Sequence, residues 1–123
     1  FFRAREAEVL ARLLAAGPAV ISTGGGAFVA PANRAAIAAA GVSVWLKVDL
    51  DLLWQRVRHR ATRPLLRTPD PRGTLAALLA EREPAYAEAA LTVAAEPGLS
   101  VEAMAARVRA ALETVPGLIE EVA

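Results

Sequence analysis

The chain has 123 residues, enough for one domain with a hydrophobic core. It is 55% hydrophobic with a net charge of +1, which excludes a disordered chain and argues against a general nucleic-acid binder. It has no cysteine, so no disulfide or thiolate metal site, and no apolar run long enough to span a bilayer; a cytoplasmic protein is expected.

Lys47 is the only lysine among 14 Lys and Arg residues. Arginine's planar fork suits carboxylates and phosphates, although an Arg- and Ala-rich composition by itself decides nothing. In chain order, residues 3–16 are predicted to form a helix. Its apolar stripe is Ala7, Val9, Leu10, Leu13 and Leu14, and Gly17-Pro18 stops it. Ala19–Thr23 reads as a short buried strand. Gly24-Gly25-Gly26 follow; three glycines suit a turn that needs positive φ, or a place where a ligand must approach the backbone. Such a turn at the end of a parallel strand lies where open α/β sheets bind ligands.

Pro31 opens a helix to about Ala40, and Gly41 ends it. Val42–Val48 is predicted as a strand covered on both faces. Asp49 is a suitable N-cap for a helix over about Leu50–Arg60, with Leu50, Leu53 and Val57 facing the core. Arg56, Arg60 and Arg63 share a helical spacing; for Arg56 and Arg60 a solvated face is the expectation. Residues 61–73 carry three prolines and three arginines and read as a long exposed loop, a lid. Thr74 to about Ala90 returns to helix, anchored by Leu75, Leu78 and Leu79, with Pro84 expected to bend or split it. Leu91–Ala94 is a third strand, and Ser100 caps a last helix to Glu113. Residues 114–123 form a tail, expected to be loosely held past Pro116. Strands alternating with helices give an α/β fold with a parallel sheet. His59, the sole histidine, reads as a surface residue, and Trp45 and Trp54 as packing groups.

Four features then occur in order: Phe2-Arg3-Ala4-Arg5-Glu6 at a helix start, the triple glycine after a strand, Arg63-Pro64-Leu65-Leu66 in the lid, and Arg82-Glu83-Pro84-Ala85-Tyr86. In this order and spacing the chain resembles the shikimate kinase family, from Phe1 to about Glu113. The resemblance implies a three-layer P-loop kinase fold, a parallel sheet with helices on both faces, here missing its first strands. It implies transfer of the γ-phosphoryl of ATP, with Mg²⁺, to the 3-hydroxyl of shikimate, a step of chorismate and aromatic amino-acid biosynthesis. It also implies a monomer in the full-length form, with a small-molecule substrate and neither nucleic acid nor membrane as partner.

By that resemblance Arg3 and Arg82 bind the shikimate carboxylate, with Glu6 bracing Arg3. Gly24, Gly25 and Gly26 contact the ring hydroxyls through their backbone. Arg63 reaches from the lid over the ATP phosphates, which fits a transfer that rests on positioning and charge neutralisation. Ser22 and Thr23 have at most an indirect part near the metal. The departure from the family is large: no Gly-x-x-x-x-Gly-Lys-Ser/Thr occurs in these residues. The acidic residue acting as base is also expected upstream, since Asp49, Asp51 and Asp70 do not match its position. The expectation is therefore the C-terminal two-thirds or so of a shikimate kinase, inactive alone, with no catalytic base or metal ligand of its own and two apolar strand edges left open. The alternatives are a related gluconate-type kinase, and a degenerate kinase-like domain that binds an anionic metabolite or a partner without turnover.

Overall fold

The computed structural model describes residues 2–23, 25–58 and 68–118. Helix α1 is Phe2–Ala15; a 3₁₀ turn, Ala27–Val29, precedes α2, Pro31–Ala40. Strand β1 is Val44–Lys47, α3 is Leu50–Val57, α4 is Pro71–Tyr86, β2 is Leu91–Ala94 and α5 is Val101–Glu113. β1 and β2 pair in parallel, with Val44 opposite Leu91 and Lys47 opposite Ala94. Two further bonds extend the ladder: the Leu91 N–H donates to the Ser43 carbonyl at 3.0 Å and the Ala95 N–H to the Lys47 carbonyl at 2.8 Å. The α/β class with a parallel sheet is thus as expected.

The local signals act where they stand. The Asp49 carboxylate accepts from the Leu52 N–H at 2.8 Å, and the Ser100 hydroxyl from the Ala103 N–H at 3.0 Å. Each closes one of the orphan donors of a helix start. Pro31 occupies the first turn of α2. Gly17 takes φ +112, a left-handed conformation that lets the chain leave α1.

Several expectations are corrected. Ala19–Thr23 is not a strand: it pairs with no other segment among the described residues, and Val20 is fully exposed. An apolar run becomes a strand only where a neighbour accepts its backbone bonds. β1 is not covered on both faces, since Leu46 keeps 52% of its exposure and β2 is its only ladder partner among the described residues. Val9 and Leu13 of α1 are exposed, while Leu10 is buried. On α3 it is Leu52 and Val57 that are buried, with Leu50 and Leu53 half-buried.

Helix α4 begins earlier than expected and is continuous. The Asp70 carboxylate accepts from the Gly73 N–H at 3.1 Å and Pro71 is at the first helical position, so the end of the supposed loop is a helix start. Pro84 does not split the helix. It stands in the last turn, where only one backbone bond is lost, and the Ala87 N–H still reaches the Glu83 carbonyl at 2.9 Å.

Leu10, Ala27, Leu52, Val57, Leu75 and Val93 form the buried apolar set. Each of the larger side chains contributes on the order of 1.5–3 kcal/mol by leaving water. The 3₁₀ turn packs against α1, α2 and α4, which draws the starts of α1 and α2 and the end of α4 toward the residues just before it. No helix among the described residues is long and apolar enough to cross a membrane.

Candidate functional site

The site is built around Gly25 and Gly26, at the entry to the 3₁₀ turn. Gly26 has an ordinary right-handed conformation, φ −81 and ψ −26, and Gly25 is not among the residues with positive φ. Positive φ is therefore not what Gly25 and Gly26 supply; what lies close to their bare backbone is side chains from α1 and α4. A Cβ on Gly25 would lie 2.7 Å from Arg82 Nη1 and 2.8 Å from the Tyr86 hydroxyl. A Cβ on Gly26 would strike the Arg3 guanidinium, 2.6 Å from Nη2 and 2.9 Å from Cζ. Two guanidinium groups thus reach this corner from separate helices, α1 and α4, one against each glycine.

Each arginine arrives for a local reason. Arg3 stands in the first turn of α1, and its Nη1 donates to Glu6 Oε1 at 2.8 Å, one turn along the same helix. Glu6 is mostly buried and Arg3 mostly exposed, at 19% and 58% side-chain exposure, so the carboxylate is the fixed partner and the cation the outward one. Arg82 and Tyr86 are four residues apart on α4 and so share a face. The Tyr86 hydroxyl donates to the Gly25 carbonyl at 2.6 Å. Arg82 pairs with no carboxylate among the described residues.

The turn beyond the glycines is pinned from α2. Buried Asn33 donates through Nδ2 to the Ala27 carbonyl at 2.9 Å. Arg34 Nη1 donates to the Phe28 carbonyl at 2.9 Å and the Val29 carbonyl at 2.8 Å. These bonds satisfy carbonyls that a single 3₁₀ turn leaves open. Asn33, Arg34 and the role of Tyr86 were not foreseen from the sequence. An Asn-Arg pair just inside a helix that follows a glycine turn is the signal available for the first two.

Of the other expected site residues, Gly24 and Arg63 lie outside the described residues, as do His59, Arg60 and residues 61–67 of the expected lid. Arg56 is exposed on α3. Ser22 and Thr23 face an open groove of about 320 Å³ shared with Glu6, Val9, Leu10, Leu13 and Ile21. Among the described residues no group of His, Cys, Asp or Glu is arranged to hold a metal ion.

Fold and site together define an α/β protein with a cationic corner of bare backbone beside its parallel sheet. The shikimate kinase family model matches residues 1–113. Shikimate kinase of Cereibacter sphaeroides is 62% identical over 120 residues, 98% of this chain and 60% of that protein. Shikimate kinase of Ruegeria pomeroyi is 58% identical over 120 residues, again 98% of this chain and 62% of that protein. Among solved structures, shikimate kinase from Acinetobacter baumannii in complex with shikimate superposes with a TM-score of 0.78 at 32% identity, covering 92% of this chain and 64% of that one. The chain belongs to the shikimate kinase family. It spans about three-fifths of the length of these two curated relatives.

Proposed function

We propose that this chain supplies the acid-binding part of a shikimate kinase site. In that reading Arg3 and Arg82 grip the carboxylate of shikimate, and the backbone of Gly24, Gly25 and Gly26 lies against the ring. Glu6 holds Arg3 in place. Two forked cations on one carboxylate fix its orientation as well as its position. The observation that carries the reading is the approach of both guanidinium groups to adjacent glycines, where no side chain intervenes. Among the described residues the arrangement brings the two cations together with the Glu6 carboxylate, which suits an anionic ligand.

The reaction proposed is phosphorylation of the shikimate 3-hydroxyl by ATP with Mg²⁺, in a cytoplasmic monomer, with Arg63 reaching the ATP phosphates. Among the described residues there is neither a Gly-x-x-x-x-Gly-Lys-Ser/Thr loop nor a cluster of His, Cys, Asp or Glu arranged to hold a metal ion. What this chain contributes is the holding of the acid in register for the incoming phosphoryl group.

The test is ADP release by the protein expressed from its complete coding sequence. Turnover is expected with ATP and shikimate together and not with gluconate. Arg82→Ala is expected to lower kcat/KM for shikimate by roughly 10²-fold, the loss of a doubly bonded charged contact. Turnover of gluconate, or shikimate binding without ADP release, would replace this reading with one of its alternatives.

A further inference from the structure

The Tyr86 hydroxyl reaches across 61 positions of sequence to the Gly25 carbonyl, at 2.6 Å. The same ring rests on Trp45 of β1, with centroids 5.9 Å apart and planes tilted by 48°. The phenol therefore links three elements at one point: the sheet, the end of α4 and the glycine corner. Arg82, one turn earlier on α4, stands against the same glycine. A backbone carbonyl beside a bound carboxylate repels it, because both are acceptors. A hydroxyl donating to that carbonyl withdraws the acceptor and leaves the corner meeting the acid with donors.

Resting on the shikimate-binding reading above, we propose that Tyr86 is a positioning residue for the acid site. It holds the Gly25 peptide in the orientation in which Arg82 and the glycine backbone meet the substrate together. Its ring is seated by Trp45, so the sheet sets where the corner stands.

The experiment is Tyr86→Phe in the protein expressed from its complete coding sequence, which removes one oxygen and keeps the ring on Trp45. The KM for shikimate should rise about five-fold, the effect of losing one neutral hydrogen bond. The KM for ATP should stay within about two-fold, so that most of the loss in kcat/KM falls on shikimate. Amide hydrogen exchange at Gly26 and Ala27 should quicken about five-fold, a readout independent of activity. Trp45→Leu, which unseats the ring but keeps the hydroxyl, should move the shikimate KM in the same direction. An unchanged shikimate KM in both variants, or a fall in stability with no change in that KM, overturns the proposal while leaving the shikimate reading in place. A wild-type protein that does not act on shikimate overturns both.

Discussion

Two sets of glycines in this chain answer different physical needs. Gly17, Gly98 and Gly117 take φ values of +112, +78 and +75, and a Cβ built on any of them meets nothing within 4 Å. They are glycines because the backbone turns left-handed, where a side chain strains the chain even in open space. Gly25 and Gly26 are the converse. Neither is among the positive-φ residues, yet a Cβ on either would press on a guanidinium group. The first set shapes the chain; the second clears room for charged side chains at bare backbone.

The largest effect that would sharpen this contrast is expected from Gly26→Ala. The added methyl meets the far end of a flexible arginine, so the fold should absorb it and the Arg3 guanidinium should be displaced. The melting temperature should change little, while the KM for shikimate rises roughly 10- to 100-fold, as loss of a charge-assisted contact implies. Thermal melts and steady-state assays on one preparation check both halves. Gly98→Ala should do the reverse and less: a loss of about 1 kcal/mol in stability from left-handed strain, read by denaturant titration, with the KM for shikimate unchanged. If Gly98→Ala altered the KM as Gly26→Ala does, the two sets would not be distinct.

What was legible in the sequence follows from how far each signal reaches. Asp49, Ser100 and Pro31 act within one turn of themselves, and each cap is where its residue type places it. Asp70-Pro71 is the same kind of signal, hidden in the sequence among neighbouring prolines and arginines; it starts α4. Ala19–Thr23 has strand chemistry, but strand formation is a property of two segments, and none of the described residues pairs with it. Pro84 does not split α4, because its effect depends on its distance from the helix end, which composition does not display.

The site divides along the same line. Arg3, Glu6 and Arg82 entered through family motifs, and Arg3 with Glu6 is also a local pair one turn apart. That Arg3 and Arg82 stand over neighbouring glycines is a long-range fact, produced by packing of the 3₁₀ turn against α1 and α4. Tyr86 lay within a quoted motif and still had no assigned role, because its partner is a backbone carbonyl, and a carbonyl carries no sequence signature. Asn33 likewise bonds a carbonyl six residues earlier.

The account turns on a carboxylate held between Arg3 and Arg82, and its most direct test is calorimetric. Shikimate and its methyl ester differ in the charge of that carboxylate and by one methyl group, and each would be titrated into the protein expressed from its complete coding sequence. Binding of the acid at least about ten-fold tighter than the ester, with the gap closed by Arg82→Ala, is the predicted result. Equal affinity for acid and ester would contradict it.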